Sequence, residues 1–408
     1  MTSTGPRHRT LLAVAVAALL WATGCGAPVA AAPAAAPAAD PPVPAYAADL
    51  APRLEALAQE MLVTGAVVLV RSPELGDWST TIGTREHRGT EPVQLGDHVR
   101  VGSNTKTWTG TVVLQLVDEG RLGLDDPIST YVPDVPNGDA ITLAHLLSMR
   151  SGLDNYTEAL ELNEAMDADP ARSYAPQELL DMAFRRPPLY PPGEGYNYSN
   201  TNTVLLGLVI EQVTGNPVAE EFRTRLFAPL GMDGSAFPDR DSAALADPHP
   251  RGYTFGGNVE TIDSLVLPDD VQARARAGTL APTDVTDANP SWGWTAGAGI
   301  STAEDLADYV RALAGGGLLG PELQQQRLDS VRPVDPADPA SPGYGLGLAR
   351  FGTLYGHSGE LPGFNSFMGH DPERDITVVT WTSLAPSVDG RGPAVELAKA
   401  VIGALYAP

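Results

Sequence analysis

A serine and a lysine stand three residues apart in Val101-Gly102-Ser103-Asn104-Thr105-Lys106-Thr107-Trp108, at what reads as the start of a helix running to about Glu119. On a helix that spacing is just under one turn, so both side chains leave the same face with Cβ atoms about 5–6 Å apart. A serine hydroxyl is a weak nucleophile until a neighbouring base takes its proton. Lysine can be that base if burial or a nearby cation drives it toward the neutral amine. The same spacing also describes a helix-capping serine followed by a solvated lysine, which is the commoner meaning of an isolated pair. Lysine usage argues against that meaning here. The chain has two lysines, Lys106 and Lys399, so 24 of its 26 basic residues are arginine.

Two further stretches carry groups of the right chemistry. Pro191-Pro192-Gly193-Glu194-Gly195-Tyr196-Asn197-Tyr198-Ser199-Asn200 is a turn leading into a helix expected from Thr201. It presents a tyrosine hydroxyl and an asparagine amide from a loop, although alone Asn200 reads as an N-cap and Tyr198 as a packed aromatic. Tyr355-Gly356-His357-Ser358-Gly359-Glu360 lies on an expected strand. Gly359 would let another chain approach its backbone, so that an extended substrate pairs with the strand edge and points a carbonyl at a free N–H. Alone, the stretch reads as a bulge or turn with an incidental histidine.

The elements that must position these residues follow from pattern. Residues 50–62 carry Leu50, Leu54, Leu57 and Met61 near the helical period, and 66–70 and 78–82 read as strands paired around a turn at 73–77. From about 124 to 277 the chain is mostly helix and loop, with helices expected over 143–149, 176–184, 201–213 and 218–227. Strands return at 344–349, 353–356, 364–369 and 376–381, before a last helix over 394–406. These predict an α+β fold: an antiparallel sheet built from both chain ends and flanked by helices, a mostly helical second lobe, and a site between them.

With 26 basic and 50 acidic residues the net charge is −24, and no basic cluster follows the first ten residues. That excludes a nucleic-acid surface, whose affinity rests on neutralising phosphates; the acidity serves solubility. At the N-terminus Arg7-His8-Arg9 precedes an apolar stretch over 11–20, too short to span a membrane and typical of an export signal. Ala22-Thr23-Gly24-Cys25 resembles the lipobox of bacterial lipoproteins, whose cysteine is lipidated, with Ala22 where Leu is usual. The expected organisation is a lipoprotein-type signal peptide over 1–25, an extended Ala/Pro-rich tether over 26–48, and one globular domain over 49–408. A lipid on Cys25 would be the sole membrane contact, holding the protein on the outer face of the bacterial cytoplasmic membrane; without it the protein would be secreted. Cys25 is the only cysteine, so no disulfide and no cysteine-based metal site is expected.

In order along the chain, Ser103-x-x-Lys106, Tyr198-Ser199-Asn200 and His357-Ser358-Gly359 resemble the three motifs of the penicillin-recognising serine hydrolases. The resemblance is to the branch of class C β-lactamases, D-alanyl-D-alanine carboxypeptidases and related esterases, and runs from about residue 48 to the end. Supporting phrases are Gly120-Arg121-Leu122, Leu124-Asp125-Asp126-Pro127, Ser151-Gly152-Leu153 and Tyr344-Gly345-Leu346-Gly347-Leu348. Each motif is loose; the ordered set is specific. It implies a β-lactamase/transpeptidase-like fold with Ser103 as acylated nucleophile and Lys106 as base or proton relay. Tyr198 would pass a proton to the leaving group, and Asn200 would hold the substrate amide. His357 takes the place of a lysine, Ser358 and Gly359 border the substrate, and the N–H groups of Ser103 and Glu360 form an oxyanion hole. Whether Lys106 or Tyr198 takes the Ser103 proton stays open. The resemblance implies no cofactor and no metal, and a monomer acting on a small peptide, ester or β-lactam.

Two departures bear on substrate. His-Ser-Gly in place of Lys-Thr-Gly resembles carboxypeptidase- and esterase-like members more than class C β-lactamases. In such carboxypeptidases a cation just after the Tyr-Gly-Leu-Gly-Leu phrase holds the substrate's C-terminal carboxylate; here Ala349 comes first and then Arg350. Adjacent strand residues face opposite ways, so Arg350 takes that role only in a different local register. The expectation is carboxypeptidase-like amide or ester hydrolysis. The alternatives are a class C-like β-lactamase, or a surface lipoprotein that binds without turnover. A nucleophile-elbow reading of Gly356-His357-Ser358-Gly359-Glu360 fails at Glu360, and the seven histidines have no metal-binding spacing.

Overall fold

Strands β1 (Gly65–Arg71) and β2 (Trp78–Gly83) form the hairpin expected near the N-terminus. β3 (Arg332–Pro333), β4 (Gly343–Gly345), β5 (Leu348–Phe351), β6 (Leu354–Leu361), β7 (Phe364–Asp371) and β8 (Ile376–Thr382) complete an eight-stranded sheet in the order β2-β1-β8-β7-β6-β5-β4-β3. This computed structural model describes residues 43–339 and 341–407. The expected signal peptide, Cys25 and residues 26–42 of the expected tether lie outside the described residues. All pairings in the sheet are antiparallel, and the chain ends meet in the β1–β8 ladder, from Ala66 opposite Thr382 to Arg71 opposite Thr377. β1 and β8 are buried on both faces, which is why GAVVLVR and ITVVTWT read as continuous apolar and β-branched runs. Edge strand β2 instead alternates between exposed and part-buried.

Five helices place the site: α1 (Leu50–Glu60), α2 (Thr105–Asp118), α3 (Asn200–Thr214), α4 (Ala303–Gly315) and α5 (Pro393–Leu405). The period-two alternation of the strands divides the core. Val68, Val70, Phe367 and Val378 pack with Leu50 and Leu54 of α1 and Leu397 and Val401 of α5. Val67, Leu69, Met368, Val379 and Trp381 join α4 and the helical lobe on the other face. Trp108 of α2 is fully buried in that lobe, edge-on to Phe222, Phe227 and Tyr309. The α+β fold with its sheet from both chain ends is as expected.

Three details differ. Helix α4 has no counterpart among the expected elements, although Leu306, Tyr309, Val310 and Leu313 lie at helical spacing and Thr302 Oγ1 accepts from Asp305 N at 3.2 Å as an N-cap. Residues 344–349 are not one strand but the hairpin β4–β5, reversed at Gly347, where φ is +68°. Its turn lies against α2, where a Cβ on Gly110 would stand 2.9 Å from the Gly347 Cα. Finally, residues 43–48 are not tether: Ala47 is buried, and Tyr46 meets Trp78 edge-on and donates to the Gly76 carbonyl at 2.9 Å.

Candidate active site

Ser103 lies on a 3-10 turn, Gly102–Asn104, that runs straight into α2. The turn is pressed backbone to backbone against β6. A Cβ on Gly102, where φ is +54°, would stand 2.4 Å from the Glu360 nitrogen, and one on Gly359 would stand 1.9 Å from the Val101 oxygen. Only glycine fits either position. Gly359 was expected to admit a substrate; the chain it admits is Val101. Ser366 Oγ, on β7, donates to the Val101 carbonyl at 2.8 Å, and Asn104 Nδ2 donates to Ser366 Oγ at 2.8 Å. Pairing of β6 with β5 stops at Gly356 opposite Ala349, so 357–361 presents an edge beside the Ser103 turn. The Glu360 N–H is thereby brought to the Ser103 turn, as a two-donor oxyanion hole requires.

Lys106 is buried, with Nζ 2.8 Å from Ser103 Oγ, donating to the Ala296 carbonyl at 2.7 Å and lying 4.8 Å from the centre of the Tyr198 ring. Burial drives its pKa well below that of an ordinary lysine. A neutral amine keeps its donation to Ala296 and offers its lone pair to the Ser103 hydroxyl. Tyr198 behaves oppositely: burial of its hydroxyl raises its pKa, Tyr196 adds to the rise, and the Ser103 hydroxyl as hydrogen-bond partner opposes it.

His357 is uncharged. Its Nδ1 faces the Ser358 carbonyl and its Nε2 lies 3.2 Å from the Tyr344 hydroxyl, so Nδ1–H donates and Nε2 accepts. Burial pulls its pKa down to about 3. The rings of Tyr344 and His357 are 5.6 Å apart, and those of Tyr344 and Tyr198 are 6.0 Å apart, both edge-on. The sequence reading used Tyr344 only as part of a supporting phrase. It gave no role at all to the carbonyl of Ala296, which carries no side-chain signal.

Asn200 begins α3, with Ser199 and not Asn200 at the N-cap. Asn200 Nδ2 donates to Thr157 Oγ1 at 3.1 Å. With Ser103, Trp292, Glu360 and Leu361, Asn200 lines a cavity of about 260 Å³. Ser358 lies opposite Phe367, on the other face of β6 from His357, and its carbonyl fixes that imidazole. Arg350 is not brought to the site. Because β4–β5 is a hairpin, Arg350 stands exposed opposite Gly343 and Tyr355, with Nε donating to the Gly352 carbonyl at 2.9 Å. The role carried over to it, holding a substrate carboxylate, has no support in this geometry.

A sheet from both chain ends, a helical lobe, and a serine–lysine pair at their junction define the penicillin-recognising serine hydrolase superfamily. Within it the chain belongs to the Beta-lactamase family, whose family model matches residues 53–401. It is 26% identical over 322 residues to penicillin-binding protein 4* of Bacillus subtilis, covering 77% of this chain and 66% of that protein, just under two thirds of its length. To esterase EstB of Burkholderia gladioli it is 28% identical over 352 residues, covering 76% of this chain and 87% of the esterase. A solved D-stereospecific amidohydrolase from Streptomyces sp. superposes with a TM-score of 0.70 at 29% identity, covering 86% of this chain and 98% of the amidohydrolase.

Proposed function

We propose that this serine hydrolase opens amide or ester bonds through an acyl-Ser103 intermediate. The observation that carries the reading is the 2.8 Å contact between Ser103 Oγ and the buried Lys106 amine, driven toward its neutral form. Lys106 takes the hydroxyl proton as Oγ bonds to the substrate carbonyl carbon. The carbonyl electron pair moves onto oxygen, facing the N–H groups of Ser103 and Glu360. Collapse breaks the bond to the leaving group, which takes a proton from Tyr198, and Lys106 returns the proton to Tyr198. Water then opens the ester by the same steps in reverse.

A neutral His357 and an outward Arg350 supply no positive charge for a substrate carboxylate. That supports an amide or ester with an uncharged leaving group ahead of a carboxypeptidase substrate. The penicillin-binding relative supports the second reading, a D-alanyl-D-alanine carboxypeptidase-like activity. A class C-like β-lactamase is disfavoured by the His-Ser-Gly motif. Measuring kcat/KM for a short-chain ester, a D-alanyl-D-alanine peptide and a chromogenic cephalosporin side by side tests this order. The ester is expected to lead; turnover of the cephalosporin alone would overturn the reading.

We further propose that the protein is exported as a monomer and anchored through a lipid on Cys25, a reading supported by the charged stretch, short apolar stretch and lipobox-like Ala22-Thr23-Gly24-Cys25. Cys25→Ser is then expected to shift the protein from the membrane fraction to the medium. Retention of the variant in the membrane fraction would contradict the anchor.

A further inference from the structure

The cavity beside Ser103 adjoins a second one. Asn258, Thr261, Trp292, Pro362 and Pro386 line both the first, of about 260 Å³, and its neighbour of about 400 Å³. Alone the first is smaller than the roughly 300–1,000 Å³ of small-molecule sites, and the two together fall within that range. A leaving group departs on the side of its proton donor, Tyr198, which among the described residues is a wall of neither cavity. The half of the substrate that stays bonded to Ser103 is therefore the half that enters them.

The walls suit an uncharged, apolar occupant. Beyond the shared Trp292, Pro362 and Pro386, the second cavity is lined by Met166, Pro170, Val285 and Ala288. Among the described residues neither cavity has a lysine, arginine or histidine in its walls. The polar side chains of the shared wall are spent within the protein: Asn258 Nδ2 donates to Asp167 Oδ1 at 2.7 Å, and Thr261 Oγ1 to the Gly257 carbonyl at 3.0 Å. Asp167, a carboxylate of the second cavity, also accepts from the N–H groups of Asn258 and Val259, at 2.7 and 2.9 Å. Asn289, another of its walls, donates to the Arg240 carbonyl at 3.0 Å and accepts from the Ser291 N–H at 2.8 Å. The mouth is apolar too. Of the six large apolar side chains exposed among the described residues, Val259, Leu265 and Val266 are three. They lie on the segment 258–266, which gives Asn258, Thr261, Ile262 and Leu265 to the Ser103 cavity. Exposed apolar side chains gathered at one opening mark a surface that a ligand covers.

We propose that the acyl half of the preferred substrate is a neutral, apolar chain longer than butyryl, running from Ser103 past Trp292 into the second cavity. This rests on the acyl-Ser103 reading and names the acyl group which that reading leaves open. Each methylene drawn out of water onto these walls favours the bound state. A chain ending in a carboxylate would bring its charge to Asp167 and Asp169, both walls of the second cavity, with no cation to offset it.

The test is the ratio of kcat/KM for p-nitrophenyl octanoate to kcat/KM for p-nitrophenyl butyrate, measured below the solubility limit of the octanoate. Wild type is expected to prefer the octanoate by about 10- to 100-fold, from four methylenes at about two- to threefold each. Thr283→Trp and Val285→Phe each enlarge a side chain that lines the second cavity alone, and either should bring the ratio toward one. Thr283 is exposed, so its variant disturbs no packed core. Mono-p-nitrophenyl suberate, as long as the octanoate but ending in a carboxylate, should fall at least about tenfold below it in the wild type. A wild-type ratio near one, a ratio unchanged in both variants, an equal loss on both esters, or suberate matching octanoate would overturn the proposal. Fluorophosphonate labelling of the same proteins separates the two levels. A labelled Ser103 with a wild-type ratio near one removes the acyl-chain reading alone, whereas no label on wild type removes the nucleophile on which it stands.

Discussion

Ser103→Ala is expected to lower kcat/KM on a short-chain ester by ~10⁵-fold or more, the scale seen when a covalent nucleophile is removed. Ser358, the other serine of the third motif, lies on the opposite face of β6 from His357. The variant should keep its thermal transition, because the turn is held by Ser366 and Asn104 through Val101 and not through the Ser103 hydroxyl. Steady-state rates and a thermal melt on the same sample check both halves. Activity within tenfold of wild type would place the nucleophile elsewhere.

Lys106→Met is expected to cost ~10³- to 10⁵-fold in kcat/KM, since it removes the base that activates the nucleophile. Here activity and stability should part. Burial depresses the Lys106 pKa in the folded chain, whereas an unfolded lysine binds its proton up to about pH 10. The unfolded state then binds more protons between the depressed folded value and the unfolded one, so the stability of the wild type rises with pH across that window. Methionine removes the linkage, so at neutral pH the variant should melt higher than the wild type while being nearly inactive. In the wild type kcat/KM should climb with pH through the depressed Lys106 pKa, because the free amine is the active form. A variant that loses activity and stability together would instead assign Lys106 a structural role.

The sequence made much of this legible because the chemistry is carried by side chains in a fixed order. Ser103, Lys106, Tyr198 and His357 are brought together as the motif order implied, and the β1–β8 ladder joins the chain ends as the strand pattern required. What escaped was set by burial and register. Tyr344-Gly345-Leu346-Gly347-Leu348 reads as one apolar run, but Gly347 reverses it, and that reversal turns Arg350 out to solvent. A neutral His357 and a Glu360 with its pKa pushed up to about 7 are products of desolvation, which no local spacing reports. The carbonyl that anchors Lys106 belongs to Ala296, 190 residues away along the chain. Backbone groups recruited over such distances leave no mark in residue type.

The central claim is that Ser103 is acylated, and mass spectrometry of the intact protein and its peptides after exposure to a fluorophosphonate or a β-lactam tests it most directly. One adduct, on the peptide carrying Ser103 and absent from Ser103→Ala, is the predicted result. An unmodified Ser103, or an adduct on Ser358, would contradict the account.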